Sequence, residues 1–232
     1  MWTIPILAYH RVGEPKGDHV PTVTPECFER QLAFMARHRV TILSFGDVVD
    51  KLRAGAPIPR RSAVITFDDG YEGTATIAAD LLHRFGFHAT VFVTPGEIGL
   101  PGFMSWDQVR TVSHNGMAVG SHTMHHAFLP MVSGEKARRE LVESKAAIEQ
   151  QLGRPVQWLS YPVGGFTAEI QALAKEAGYQ AACTTNRGTS KRATDLFALR
   201  RVKVTERDCR TLLFRAKLSG YYDLFRRLEP PA

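Results

Sequence analysis

The sequence predicts a single α/β domain organised around a parallel sheet, and three observations carry that expectation. Short apolar, β-branched runs alternate with helix-patterned segments, about eight strands in all, the order expected of successive βα units. The 232 residues are 44% hydrophobic and 22% charged, enough for one large core and the size of an α/β barrel. His10, Asp68, Asp69, His122 and Tyr161 each fall just past the C-terminal end of a predicted strand. In a parallel barrel those ends converge on one face, where active sites are built. Alternation alone leaves a closed barrel and an open, doubly wound sheet both available.

The elements follow in order. Ile4 to Tyr9 is a short apolar run, followed by a Gly/Pro-rich loop through Thr22. Thr24-Pro25 opens a helix, threonine as N-cap and proline in the first turn, with Phe28, Leu32 and Met35 along one face. Val40 to Leu43 is strand-like, and Ser44 caps a helix toward Ala54. Ala63 to Phe67 is a buried strand, and Gly70 permits a sharp turn after its two aspartates. Ala75, Ala78, Leu81 and Leu82 place a helix over 74–85, stopped by Gly86. Ala89 to Val93 and Met117 to Gly120 are strands on either side of a helix capped by Ser105. Gly134 to Leu152 is a long charged helix; Trp158 to Tyr161 is a strand ended by Pro162; Thr167 to Ala177 is a helix. Ala181 to Thr184 and Arg200 to Val204 complete the strands.

Composition excludes several classes. The first residues carry neither a basic n-region nor a long apolar run, so no secretory signal is visible, and no apolar stretch nears the roughly 18 residues of a membrane span. These features predict a cytoplasmic location if Met1 is the true start. Cys27, Cys183 and Cys209 are odd in number and lack metal-ligand spacing, which suits a reducing compartment and argues against a disulfide framework. The net charge of +6 comes without any nucleic-acid motif, so no nucleic-acid partner is expected.

The chemistry concentrates in two segments. Asp68 and Asp69 are adjacent at a strand end, where two carboxylates stay ionised only beside a cation or strong donors. In Ser121-His-Thr-Met-His-His126, His122 and His126 are four residues apart and share a face if the segment turns helically; His125 is the competing partner. Two imidazoles and one carboxylate make three ligands and leave room for water, the pattern of a catalytic rather than structural metal site. One aspartate would then complete the ligand set and the other take a proton from the attacking water. His10 suits an acid for the leaving nitrogen, with loop packing as the plain alternative for the Tyr9-His10 pair.

Thr66-Phe-Asp-Asp-Gly70, Ser121-His-Thr-x-x-His126 and Tyr161-Pro-Val-Gly164 together resemble the motifs of the polysaccharide deacetylases, carbohydrate esterase family 4. The resemblance runs from Ile4 to about Val204 and implies a distorted barrel of about seven strands, a (β/α)7 type, with metal-dependent N-deacetylation of a sugar amide. It implies Asp68 as general base, and Asp69, His122 and His126 as ligands of a divalent metal, commonly zinc, with cobalt, nickel or manganese as alternatives. Ile6-Leu-Ala-Tyr-His-Arg-Val12 is similar to the subgroup that includes bacterial poly-N-acetylglucosamine deacetylases, which implies His10 as general acid. Carried over as substrate or oxyanion residues are Tyr161, Pro162, Val163 (through its backbone N–H), Gly164, Tyr9 and Trp106. The sequence departs from the family at Ser160, where an arginine normally orients the base; Arg201, at the start of the last strand, is the proposed substitute.

Residues 1–205 are thus expected to form the barrel and 206–232 a basic amphipathic helix, packed on it or lying at a membrane surface. The expected partner is an N-acetylglucosamine-type glycan, in a polysaccharide or a lipid- or nucleotide-linked precursor. Hydrolysis of a small non-carbohydrate amide and a catalytically silent glycan-binding role are the alternatives.

Overall fold

A computed structural model describes residues 4–187 and 195–219 of the chain. In chain order the first half forms β1 (Ile6–Tyr9), β2 (Arg11–Val12), β3 (Thr22–Val23), α1 (Pro25–Arg37), β4 (Thr41–Ile42), α2 (Phe45–Arg53), β5 (Ser62–Phe67) and α3 (Ala79–Phe85). There follow β6 (Thr90–Val93), α4 (Trp106–His114), β7 (Ala118–Ser121), α5 (Gly134–Leu152), β8 (Trp158–Ser160), α6 (Ala168–Glu176), β9 (Ala181–Arg187), β10 (Leu199–Lys203) and α7 (Thr211–Leu218).

Seven parallel strands close a ring in the order β1, β5, β6, β7, β8, β9, β10 and back to β1. The barrel is therefore closed, a distorted (β/α)7 fold, and the open-sheet alternative falls away. The eighth expected strand, β4, pairs only with the start of β5 (Thr41↔Ser62, Ile42↔Ala63) and lies outside the ring. Seven strands make a narrow barrel, and its filling follows from the period-2 alternation of strand side chains. Ile6, Val64, Phe92, Ala181, Cys183 and Leu199 form one cluster with Phe45, Val48, Val49 and Leu52 of α2. That helix thereby closes the end from which the strands start. The alternate positions, among them Leu7, Tyr9, Ile65, Phe67, Val91, Val93 and Leu159, face outward to a larger cluster that includes Phe28, Leu32 and Met35 of α1 and Leu141 and Ile148 of α5.

Local chemistry sets the helix starts as the sequence suggests. Thr24 Oγ1 accepts from Cys27 N, and Ser44 and Ser105 each form a capping box, with Asp47 and Gln108 respectively. Each such cap is worth about 1 kcal/mol. The expected helix over 74–85 is α-helical only from Ala79, its first turn Thr74–Ala78 being π-helical. Inside the Gly/Pro-rich loop the structure adds the small β2–β3 pair, too short to leave a sequence period.

After β10 the chain makes a 3-10 turn at Glu206–Cys209 and enters α7, which buries Phe214 and Lys217. Phe214 packs edge-on against Phe34 of α1 (centroids 6.0 Å), and Lys217 Nζ donates to Asp208 Oδ2 at 2.7 Å. The remainder of the expected C-terminal helix, through Leu228, lies outside the described residues. Among those residues no helix is long and apolar enough to cross a membrane.

Candidate active site

The upper half of the barrel interior is polar. Thr66, Asp68, Ser160 and Arg201 are each fully buried there, above the apolar cluster. Arg201 rises from the middle of β10 with all five of its N–H donors engaged. Nη1 donates to Asp68 Oδ1 at 2.7 Å and Thr66 Oγ1 at 3.1 Å, Nη2 to Asp68 Oδ2 at 2.5 Å and Ser160 Oγ at 2.9 Å, and Nε to Thr184 O at 3.3 Å. The fork is bidentate and dry, the strong form of a carboxylate contact. Burial alone would raise Asp68, but Arg201 and then His122 hold it below the ordinary carboxylate range. At position 160 the serine supplies an acceptor, and the guanidinium that meets Asp68 comes from β10.

Asp69 lies next to this pair but turns the other way. It takes a left-handed backbone (φ 72°) immediately before Gly70 (φ 89°). A Cβ at Gly70 would sit 3.1 Å from Ile98 and 3.4 Å from Val93, so side-chain room as well as conformation favours glycine at this turn. Asp69 Oδ1 ends 3.3 Å from His122 Nε2 and 3.3 Å from His126 Nε2. His122 Nδ1 lies 2.7 Å from the Ser160 carbonyl, to which it can only donate, so a neutral His122 ring presents its lone pair at Nε2. That lone pair faces a carboxylate oxygen which is buried and has no hydrogen-bond partner. The arrangement is repulsive until a cation enters it. A proton on His126 is one such cation: it makes the hydrogen bond to Asp69 that the neutral ring lacks, and that attraction, opposed by burial, raises the ring above its ordinary value. A divalent metal is the other, and Asp69, His122 and His126 place their ligand atoms within 4.8 Å of one another. One carboxylate and two imidazoles form the donor set of a three-ligand catalytic site.

The loop that carries His126 is held from two sides. His125, the competing partner, points away: its Nδ1 lies 2.9 Å from Glu140 Oε1 on α5, and its backbone N–H donates to Glu140 Oε2 at 2.8 Å. Gly96 N donates to Met124 O at 2.8 Å, a contact so close that a Cβ at position 96 would lie 2.7 Å from that oxygen. Of the six non-glycine residues with positive φ among the described ones, four (Asp69, Thr123, His126 and Val163) sit on the loops after β5, β7 and β8. Such conformations cost of order 1 kcal/mol or more each and gather at functional loops.

His10 joins the group through strand register. Tyr9 pairs with Phe67, and Asp68 N donates to Tyr9 O at 3.0 Å, which sets His10 beside Asp68. Its Nδ1 is buried without a partner, and burial lowers the ring's pKa against the opposing pull of Asp68 and Asp69. Tyr9 itself is not at the site, contrary to the expectation. Its side chain points outward, packs on Phe28 and Phe67, and donates its hydroxyl to Gln31 Oε1 at 2.9 Å. The alternation of a strand separates the two neighbours: His10 faces in, Tyr9 out. The Tyr161 side chain is likewise fully buried in the outer cluster, stacked on Phe166, so only its backbone can serve the site. Pro162 is buried, Val163 is 68% exposed at φ 56°, and Gly164 O accepts from Thr184 Oγ1 at 2.6 Å, fixing this loop to β9. Trp106 is half-buried against the outer cluster at the start of α4.

Comparison with known proteins agrees with this geometry. The polysaccharide deacetylase family model matches residues 55–182, more than half of the chain. The chain is 27% identical over 202 residues to YxkH of Bacillus subtilis (strain 168), covering 87% of this chain and 71% of that protein. It is 32% identical over 126 residues to the peptidoglycan-N-acetylglucosamine deacetylase of Bacillus cereus, covering 53% of this chain and only 56% of that relative. The Streptococcus pyogenes deacetylase PplD, solved in complex with acetate, superposes with a TM-score of 0.84 at 24% identity, covering 99% of both chains, and shows the same fold. By the family match and the site motifs it contains, the chain belongs to the polysaccharide deacetylase family.

Proposed function

We propose that this protein is a metal-dependent deacetylase that removes N-acetyl groups from N-acetylglucosamine units of a glycan. The observation that carries the reading is Asp69 Oδ1, buried between two imidazole nitrogens at 3.3 Å, next to a second carboxylate held ionised by Arg201. Asp69, His122 and His126 would hold a divalent metal, which would supply Lewis acidity toward an amide carbonyl and the attacking water. Imidazole and carboxylate ligands suit zinc first, and cobalt, nickel or manganese as replacements.

The chain's own groups divide the remaining work. Asp68 takes the proton of the water as it adds to the acetamide carbon, and Arg201, bonded to both oxygens, fixes the plane of that carboxylate and keeps it ionised. The backbone N–H of Val163 is the donor offered to the developing oxyanion. His10, facing Asp68 across the β1–β5 edge, gives a proton to the departing sugar nitrogen, releasing acetate and the free amine. N-acetylglucosamine as the sugar is supported by the name of the Bacillus cereus relative.

The test is acetate release from N-acetylglucosamine oligomers by protein stripped with a chelator and then reloaded with zinc. Activity that disappears on stripping, returns on reloading and is absent in Asp68→Asn supports the reading. Metal binding without acetate release from any oligomer would transfer the site to a small non-carbohydrate amide.

A further inference from the structure

Away from the barrel mouth, α1 and the turn after β10 bring together a second reactive cluster. Cys27, Cys209 and Glu206 place their sulfur and carboxylate atoms within 4.8 Å of one another, although the two cysteines are 182 positions apart. Their surroundings differ. Cys27 is fully buried, with Gln31 Nε2 3.6 Å from its sulfur, whereas Cys209 is only half-buried. The Arg30 guanidinium, one turn along α1 from Cys27, lies 2.7 Å from Cys209 Sγ. An accessible thiol with a cation seated on its sulfur, and a second thiol directly behind it, is the arrangement of an attacking and a resolving cysteine.

We propose that Cys209 and Cys27 form a peroxide-responsive thiol pair that closes to a disulfide between α1 and the turn following β10. In the first step the Cys209 sulfur attacks hydrogen peroxide. An S–O bond forms, the O–O bond breaks, and the departing hydroxide takes up the thiol proton as water. In the second step the Cys27 sulfur displaces the hydroxyl group from Cys209: S–S forms, S–O breaks, and the Cys27 proton leaves with the hydroxyl as a second water. The two thiols give up two electrons and the peroxide accepts them. The order of attack follows from burial, which pushes the Cys27 thiol well up and leaves the outer sulfur to react first. The third cysteine, Cys183, is fully buried inside the barrel and donates to Leu159 O, so it serves as an internal control.

A metal is the competing occupant of such a cluster, and two contacts disfavour it. Both Glu206 oxygens are engaged by Thr24, through its N at 2.8 Å and its Oγ1 at 3.1 Å. The Arg30 guanidinium on Cys209 would repel a cation from the same sulfur.

The experiment treats the purified full-length protein with hydrogen peroxide, blocks free thiols with an alkylating agent and maps the digest without reduction. The expected result is a Cys27–Cys209 cross-linked peptide with Cys183 still alkylated, reversed by dithiothreitol. Oxidised protein should also melt several degrees higher, since closing so long a loop restrains the unfolded chain. Cys27→Ser should stop the reaction at a Cys209 sulfenic acid trapped by dimedone, and Arg30→Met should slow it about tenfold. A peptide map without the cross-link at complete Cys209 oxidation would overturn the proposal. So would a second equivalent of zinc that stays with Cys27→Ser-sensitive affinity and shields both thiols from peroxide.

Discussion

Arg201 and Asp68 meet as a bidentate pair inside the barrel, both fully buried, with Nη1–Oδ1 at 2.7 Å and Nη2–Oδ2 at 2.5 Å. Removing one partner of a buried pair strands the other charge, which costs about 3–5 kcal/mol. Arg201→Met is therefore expected to lower the melting temperature by roughly 6–20 °C, taking about 2–4 °C per kcal/mol at this chain length. The double variant with Asp68→Asn should recover a large part of that loss without recovering activity. Additive losses in the double-mutant cycle would mean the two residues do not act as a pair.

His126 ties metal affinity to pH. It must be neutral to ligate, yet the hydrogen bond to Asp69 raises it from its ordinary value. Zinc affinity should therefore fall as pH drops through a value above about 6.5, with proton release rising toward one per metal bound below that point. In the metal-free protein the sign for folding is opposite. A raised folded pKa contributes stability that is fully present below about 6.5 and is lost as pH rises through the raised value. Calorimetry in buffers of different ionisation enthalpy measures the proton release, and zinc affinity that stays flat between pH 8 and 6 would refute the coupling.

Glu140 braces the metal loop from α5 through His125 N and Nδ1. Glu140→Gln keeps the volume but leaves one of the two donors facing an amide N–H. Partners that orient a ligand loop typically control metal affinity by 10–100-fold, and a loss in that range is expected for zinc. Glu143→Gln, one turn away on the exposed side of α5, is the control and should leave affinity unchanged.

His10→Asn should lower kcat by about 10²–10⁴ while zinc content stays at the level of the unmodified protein, because the residue moves a proton and holds no metal. Loss of zinc in that variant would instead place His10 among the ligands.

Much of this was legible in the sequence, and the boundary is physical. The strand-end positions of Asp68, Asp69, His122 and His10 follow from short β-branched runs, and the closed ring brings them to one face as parallel strands must. The pair Tyr9 and His10 shows the limit: a register of one residue decides inside from outside, and the apolar run before them does not mark which is which. Val40–Leu43 carried a strand pattern, but nothing in a pattern says whether a strand joins a ring or pairs beside it, as β4 does. The Arg201–Asp68 pair leaves no sequence pattern, because the partners lie 133 positions apart and only the closure of β10 onto β1 joins them. Glu140 does leave a signal in the sequence. Ala137, Glu140, Leu141, Ser144 and Ile148 share the buried face of α5, and a carboxylate on such a face requires a donor opposite.

The most direct measurement is zinc-dependent acetate release from N-acetylglucosamine oligomers, made on the unmodified protein and on Asp69→Ala in parallel with their bound-metal content. Zinc bound by the unmodified protein, lost from Asp69→Ala, and acetate released only when zinc is present is the expected result. A protein that binds no divalent metal at this site, or that releases acetate equally well after chelation, would contradict the central reading of Asp69, His122 and His126.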